Sequence, residues 1–184
     1  MPTPSELEGQ AHCHSYLLRV LGPGNLVRSV PNGIPVSAKD EEERGRLIRL
    51  NRALASAGMT EGTPDHEIIG RSGRAHLIEF KKEGETLSSL SVEQEDQIIL
   101  ALEAGAKVGL AHTVDHEVEE LLLIWGFELR YRLPPRPAHI GRALRWPLEG
   151  ERLREAIHDA KRKRAIRNTE KITREVRMPP SENE

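Results

Sequence analysis

The stretch from Gly62 to Lys81 constrains the fold of this chain more than any other part of the sequence. Two short apolar runs enclose a polar break that contains glycine, a pattern typical of a β-hairpin. The two runs are His66–Ile69 and Ala75–Lys81. If the turn is centred on Ser72, antiparallel pairing places Asp65 opposite Glu79. Directly opposed residues have Cβ atoms about 5 Å apart, where two carboxylates repel each other unless a cation lies between them. The hairpin therefore predicts a metal site.

The second run also places a lysine beside the predicted carboxylate pair. Side chains alternate along a strand, so Lys81 shares a face with Glu79. Asp65 and Glu79 would bind the ion, and the backbone carbonyl of Phe80 could add a ligand. Carboxylate oxygens favour hard cations, so Mg²⁺ or Mn²⁺ is the expected metal. Lys81 would orient or deprotonate an attacking water. Because a divalent cation can neutralise a phosphate, activate water and stabilise a leaving alkoxide, the pattern indicates hydrolysis of a phosphodiester.

Length and composition narrow the class of protein. The 184 residues suit one catalytic domain of about 100–200 residues with appendages. A formal net charge of -2 excludes a globally basic nucleic-acid binder, and 3% aromatic residues argue against a platform that stacks single-stranded bases. The single cysteine, Cys13, excludes an internal disulfide and fits a reducing cytoplasm. No apolar run reaches the roughly 20 residues of a membrane span, so we expect a soluble, cytoplasmic protein with no membrane partner.

Periodicity predicts helices and strands on both sides of the hairpin. A first helix begins at Thr3 or Ser5 and ends at Gly22. Its residues at helical spacing are Leu7, Ala11, His14, Leu18 and Leu21. The other predicted elements are a strand from Leu26 to Val30, helices from Asp40 to Ala57, from Ser91 to Gly105 and from Thr113 to Trp125, a buried strand from Ala106 to His112, and an edge strand from Phe127 to Leu133. Strands separated by helices indicate an α/β sheet, here within residues 1–133.

The C-terminal part of the sequence differs in composition from this domain. Residues 134–150 begin with a proline-rich stretch and are predicted to form a semi-rigid linker. Residues 151–184 are predicted to form a basic helical extension with a disordered end. The run Lys161, Arg162, Lys163 and Arg164 is the predicted DNA contact of this helix. A basic stripe is the electrostatic footprint of a phosphate backbone, and a solvated surface helix is the equal alternative.

Here the sequence resembles the VRR-NUC family of the PD-(D/E)xK nuclease superfamily, from about Ser5 to His112. The superfamily signature corresponds to Pro64-Asp65 followed by Glu79-Phe80-Lys81. Four further features sharpen the match by their order and spacing. These are Glu6 with Gln10 in the first helix, Asn32-Gly33 ahead of the second helix, Gly62 shortly before Pro64, and Ser91-Val-Glu-Gln94 after the catalytic strand.

The resemblance implies a restriction-endonuclease-like αβββαβ core, in which a mixed sheet is flanked by helices. It implies that Glu6 is an additional metal ligand and that Gln94 acts beside the catalytic residues Asp65, Glu79 and Lys81. It also places Asn32, Lys82 and Ser91 among the DNA contacts. Three alternatives come from the residues themselves. Gln94 could simply be the capping partner of Ser91, Glu8 could replace Glu6 as the ligand, and His66 is expected at the surface rather than near the phosphate.

The family cleaves DNA, and compact members look like symmetric dimers that act on branched DNA such as four-way junctions. We therefore expect a homodimeric DNA endonuclease that depends on Mg²⁺ or Mn²⁺ and selects DNA by structure. A DNA-binding or scaffold protein that has lost turnover is an alternative of a different class. A nuclease of the same chemistry with a sequence-specific restriction or repair role is a third possibility.

Overall fold

The sheet has five strands and is mixed. The computed structural model describes residues 6–30, 40–56, 62–135 and 146–177. The strands are β1 (Leu26–Ser29), β2 (His66–Ile69), β3 (Ala75–Lys81), β4 (Lys107–His112) and β5 (Leu148–Glu149). Their order across the sheet is the same as their order in the chain. The pair β3 and β4 is parallel and the other neighbouring pairs are antiparallel, so the protein has an open mixed sheet.

Helices cover both faces of this sheet. They are α1 (Glu6–Val20), α2 (Glu41–Ser56), α3 (Val92–Glu103), α4 (Asp115–Ile124) and α5 (Gly150–Arg177), with a short 3₁₀ helix at Leu87–Ser89. Side chains of α1 and α4 form one buried cluster with Ile68, Ile78 and Phe80 of the sheet. Side chains of α3 and α5 form a second cluster with Val108 and Leu110. No helix within the described ranges has both the length and the apolar character needed to cross a bilayer.

The hairpin has the register that its sequence predicts. Ile69 pairs with Ala75, and Glu67 pairs with Leu77, which centres the turn on Ser72. The pairing ends at His66, so Asp65 lies just outside the last paired position. Because side chains alternate along β3, Ile78 and Phe80 face α1 and α4, whereas Glu79 and Lys81 face α3. The register therefore places the predicted site at the carboxyl end of β3.

The buried face of α1 differs from the predicted stripe. The buried positions are Cys13, Tyr16, Leu17, Val20 and Leu21. Leu18, which belongs to the predicted stripe, is 53% exposed. The hydroxyl of Tyr16 donates a hydrogen bond to the buried carboxylate of Glu119 at 2.8 Å. The buried face of α1 is therefore rotated about the helix axis relative to the predicted stripe, and it includes the hydrogen-bonded Tyr16. The spacing of the leucines alone does not predict this face.

The predicted edge strand from Phe127 to Leu133 is not a regular strand. Its one sheet-like contact among the described residues is an isolated bridge between Leu129 and Leu21. Side-chain bonds fix the segment instead, because Glu119 accepts hydrogen bonds from Nε of Arg132 at 2.7 Å and from the backbone amide of Leu133 at 2.8 Å. The buried carboxylate of Glu119 thus provides hydrogen bonds to this segment that a neighbouring strand would otherwise provide.

The C-terminal part packs against the sheet. Strand β5, which lies inside the predicted linker 134–150 and was not predicted, pairs antiparallel with β4. The first half of α5 buries Leu153 and Ile157 completely. The side chains from Ala165 to Glu170 are exposed. Residues 136–145 and 178–184, including the predicted disordered end, lie outside the described residues.

Candidate functional site

Three side chains form a closed triangle at the end of β3. The Nζ atom of Lys81 lies 3.1 Å from Oε1 of Glu79 and donates a hydrogen bond to Oε1 of Gln94 at 3.1 Å. The side-chain amide nitrogen of Gln94 donates to the same Oε1 atom of Glu79. Glu79 and Lys81 are only 1% and 5% exposed. The structure thus brings together three of the four predicted catalytic residues, with the buried carboxylate and the ammonium compensating each other.

Gln94 performs the capping role as well. Its backbone amide donates to Oγ of Ser91 at 3.2 Å, and its Oε1 atom accepts from the backbone amide of Ser91 at 3.0 Å. This is a complete capping box at the start of α3. The two interpretations of Gln94 are therefore compatible, because the cap holds the same side chain that contacts Lys81 and Glu79. For Ser91 the described contacts are those of a helix cap.

Gly62 joins the loop before Asp65 to the start of α3. Its φ of +80° lies in the left-handed region, and a Cβ atom there would be 2.5 Å from the carbonyl carbon of Glu93 and 2.7 Å from the backbone nitrogen of Gln94. No real side chain tolerates such contacts with backbone. The glycine lets the two segments that carry Asp65 and Gln94 touch.

Asp65 lies across from the end of β3. Its Oδ2 atom accepts a hydrogen bond from the backbone amide of Phe80 at 2.8 Å, and its backbone carbonyl accepts one from Val30 at 2.8 Å. The side chain is 8% exposed. The described contact of Asp65 with Phe80 is therefore to the amide, whereas a role for the Phe80 carbonyl as a ligand stays a prediction. The Phe80 side chain is buried on the opposite face, against α1 and α4.

Among the residues that the structure describes, Asp65 and Glu79 offer oxygen donors to a metal. Across the described ranges, no group of three or more His, Cys, Asp or Glu side chains is arranged to bind an ion. Asp65 and Glu79 supply two carboxylates, whose hard oxygen atoms suit Mg²⁺ or Mn²⁺. The side chain of Glu6 lies outside the described residues, and Glu8 is exposed. The donor chemistry fits a divalent cation, with the third protein ligand still a prediction.

Helix α1 packs at the end of the sheet where β3 and β4 end. A Cβ atom at Gly9 would lie 2.7 Å from the side chain of Thr113, so the helix packs closely against the residue that follows β4. The backbone amide of Thr113 donates to the carbonyl of Lys81 at 3.0 Å. The first turns of α1 therefore lie near the end of β3.

The predicted DNA contacts on α5 are engaged with carboxylates. Arg164 makes a bidentate pair with Glu95, at 3.0 and 2.8 Å, and Lys161 pairs with Asp96. Arg162 and Lys163 both pair with Asp159 of their own helix. The acids of α3 are distant in sequence, which is why the charge pattern of α5 did not reveal them. Of the remaining predicted contacts, Lys82 is half-buried and Asn32 lies outside the described residues.

His112 is a neighbour of the site that the sequence analysis missed. It lies directly opposite Lys81 in the parallel pairing of β3 and β4. Its Nδ1 atom is 3.1 Å from Oε2 of Glu117, and its Nε2 atom is 3.1 Å from the carbonyl of Glu85. Burial alone lowers the pKa of His112, but the hydrogen bonds to Glu117 and Glu85 outweigh it and the pKa is raised. Two acceptors favour the doubly protonated ring, which stacks on Trp146 at 4.0 Å. The register of β3 against β4 is what places His112 beside Lys81, and the sequence does not reveal that register.

His66 was expected at the surface and is instead 1% exposed. Its Nε2 atom lies 3.1 Å from Nδ1 of His14, and its ring packs edge-on against Phe80. Burial, together with the nearby His14, lowers the pKa of His66 to about 4. The prediction was wrong because residue 66 faces the core between α1 and the sheet, so this ring is a neutral core side chain.

Comparisons with models of protein families, with curated proteins and with solved structures found no match for this chain.

Proposed function

We propose that this protein is a DNA endonuclease that depends on Mg²⁺ or Mn²⁺. The observation that carries the proposal is the triangle of Glu79, Lys81 and Gln94 at the end of β3, with Asp65 across the hairpin. Burying an acid and a lysine costs free energy of folding. A buried pair of this kind that a third side chain holds in place therefore favours a functional role. Two carboxylates beside a lysine are suited to hydrolysis of a phosphodiester.

The order of elements supports a restriction-endonuclease-like core. Helix α1 is followed by β1, β2 and β3, then by α3 and β4, with α2 inserted between β1 and β2. This matches an αβββαβ arrangement with one added helix. In this proposal the sheet serves to bring the end of β3 next to the capped start of α3.

The residues divide the proposed reaction among themselves. Asp65 and Glu79 would hold the cation, which supplies charge neutralisation of the phosphate and activation of water. Lys81, as the ammonium that pairs with Glu79, would orient the attacking water by donating a hydrogen bond from Nζ. Gln94 acts as a positioning residue, because its amide contacts both Lys81 and Glu79 while the capping box fixes it to α3.

The proposal extends to branched DNA and to a homodimer. A single site of this type cuts one strand, whereas two sites related by a two-fold axis can cut a four-way junction symmetrically. This part rests on the sequence resemblance. It requires a dimer in solution, which sedimentation of the protein alone and with a junction tests directly.

A non-catalytic DNA-binding or scaffold role is the second candidate. The observation that favours it is the closed pairing of Glu79, whose Oε1 atom contacts both Lys81 and Gln94 while the residue is 1% exposed. In an active enzyme the cation has to share this carboxylate with Lys81. In a scaffold the same pairing would be purely structural.

A cleavage panel separates the two candidates. Duplex, single-stranded, flap and four-way-junction DNA are incubated with the protein in Mg²⁺, in Mn²⁺ and in EDTA. The proposal predicts metal-dependent nicking that Glu79→Gln and Lys81→Ala abolish, with Lys107→Ala, at the opposite end of β4 from the site, as the control that retains turnover. A folded protein that binds these substrates and cuts none of them in either metal would support the scaffold role.

A further inference from the structure

A cavity lies at the end of the sheet opposite the candidate site. It is an open cavity of about 690 Å³, lined by the hairpin turn, the turn after α1 and the segment from Trp125 to Arg130. We call it the hairpin pocket. Its size is that of a pocket for a small molecule, roughly 300–1,000 Å³. His76, near the start of β3, lines the hairpin pocket, whereas Glu79 and Lys81 lie at the other end of the strand. The hairpin pocket is therefore not part of the proposed nuclease site.

Aromatic rings form one wall of the hairpin pocket. The ring of His76 lies 5.3 Å from that of Trp125 and 4.7 Å from that of Phe127. Burial lowers the pKa of His76, which favours the neutral ring. The indole Nε1 atom of Trp125 is buried without a hydrogen-bond partner in the described part of the chain. Almost none of the surface of this atom is accessible, so it does not face the cavity, which the rings border with their apolar surfaces.

Two arginines, Arg71 and Arg130, line the hairpin pocket. A Cβ atom at Gly22 would be 3.7 Å from Nε of Arg130, and one at Gly24 would be 3.1 Å from Nε of Arg71. Both guanidinium groups therefore flank the same short turn after α1. Arg71 also donates to the carbonyl of Pro23 at 3.3 Å.

Both arginines are exposed residues of the pocket lining. Within the ranges that the structure describes, neither Arg71 nor Arg130 makes an ion pair. Glu128 is the acidic residue in the pocket lining, so the lining retains a positive surplus. Guanidinium groups left in this way are suited to a phosphate.

We propose that the hairpin pocket binds a nucleotide. The base would stack on the accessible part of this wall, mainly against Phe127, the least buried of its three rings. The phosphate would lie between Arg71 and Arg130. The ligand is either a free mononucleotide or one nucleotide of a DNA strand, and both present the same ring and phosphate. This inference is independent of catalysis at Glu79 and Lys81.

Binding of dAMP in EDTA tests the proposal. Calorimetry is combined with NMR of the two indole N–H signals, and Trp146→Phe assigns them. The expected result is saturable binding that shifts the Trp125 signal selectively, with deoxyadenosine and inorganic phosphate each binding more weakly than dAMP. Arg71→Gln and Arg130→Gln should each weaken binding about tenfold or more, since each removes charged hydrogen bonds to the phosphate.

Matched variants keep the test independent of the nuclease proposal. Arg167→Gln replaces an exposed arginine on α5 and should bind dAMP as the parent does, and Glu79→Gln should do the same. Absence of binding at millimolar dAMP would overturn the proposal, as would equal losses in Arg167→Gln and Arg130→Gln. A 5′-phosphorylated oligo(dA) that binds more tightly than dAMP, through the same two arginines, would assign the nucleotide to a DNA strand. Binding of dAMP alone would assign it to a free nucleotide.

Discussion

Arg164 of α5 and Glu95 of α3 form a bidentate ion pair in which the glutamate is completely buried. Glu95 follows Gln94 in the chain, so the pair holds the turn of α3 that carries a residue of the candidate site. A basic residue that its local sequence assigns to DNA thus serves to attach α5 to the domain. Removing one partner of such a pair leaves an uncompensated buried charge.

We therefore predict that Arg164→Gln lowers the free energy of unfolding by about 3 kcal/mol. The control is Arg162→Gln, whose partner Asp159 is much more exposed, and it should change stability by less than about 1 kcal/mol. Urea denaturation of both variants measures the difference. If Arg164→Gln is as stable as Arg162→Gln, the ion pair of Arg164 with Glu95 contributes nothing to the attachment of α5. A double variant, Arg164→Met with Glu95→Leu, should recover much of the loss because no buried charge remains.

Gly62 and Gly73 offer a matched comparison for the contact between the loop before Asp65 and α3. Both have a positive φ, +80° and +75°. A Cβ at residue 62 would collide with the backbone of Glu93, whereas one at residue 73 would meet nothing within 4 Å. We predict that Gly73→Ala costs about 1 kcal/mol of stability from its backbone conformation alone. Gly62→Ala should cost at least about 2 kcal/mol more, because backbone has to move.

The same pair of variants reports on the site. Displacing the start of α3 moves the amide of Gln94 away from Lys81, so Gly62→Ala should also reduce the cleavage rate in the proposed reaction. Gly73→Ala should leave that rate unchanged. If Gly62→Ala and Gly73→Ala lower the melting temperature by similar amounts, the backbone of Glu93 and Gln94 moves away from residue 62 at no cost in stability.

The hairpin and its register were predictable because the constraints are local. Alternation along β3 and a glycine-bearing turn fix which residues oppose each other, and the observed pairing of Glu67 with Leu77 agrees. The capping box of Ser91 and Gln94 was readable for the same reason. What the sequence could not display were contacts between distant segments. Strand β5, the pairing of Lys161 with Asp96, and the position of His112 beside Lys81 all depend on packing that closes long loops.

His66 makes stability depend on pH. Its folded pKa of about 4 lies below the unfolded value of 6.5, so its contribution is fully present above pH 6.5 and is lost as the pH falls toward 4. The maximum loss is about 3 kcal/mol, because each pKa unit corresponds to about 1.4 kcal/mol. Unfolding measured between pH 7.5 and 4 should show a smaller decline in His66→Phe than in the parent. Superimposable pH profiles would mean that folding does not lower the pKa of His66.

Lys81 supports folding as well as the proposed chemistry, because it compensates the buried carboxylate of Glu79. Lys81→Met in EDTA should therefore lower the free energy of unfolding by about 3 kcal/mol at neutral pH. The double variant with Glu79→Gln should recover most of this loss, since it leaves no buried charge unpaired. Urea denaturation of the single and double variants checks the coupling. If the two single changes add without interaction, the pair is not coupled in solution.

Asp65 has a structural contact that constrains how its role in metal binding can be tested. Its carboxylate accepts a hydrogen bond from the Phe80 amide, so Asp65→Ala would leave that buried N–H unsatisfied and cost about 1–3 kcal/mol without any metal. Asp65→Asn retains an acceptor for the amide and removes the charge. In EDTA, Asp65→Asn should therefore be close to the parent in stability.

The metal response then separates a ligand from a turn residue. Mn²⁺ or Mg²⁺ should raise the melting temperature of the parent, with a stabilisation of about 2.7 kcal/mol at a hundredfold excess over Kd. Asp65→Asn should lose most of this shift, because one of the two carboxylates that would hold the cation is gone. Melting curves of both proteins in EDTA and in Mn²⁺ decide the question. A variant that melts earlier than the parent in EDTA and yet keeps the full Mn²⁺ shift would restrict Asp65 to its bond with Phe80 and remove it from the metal site.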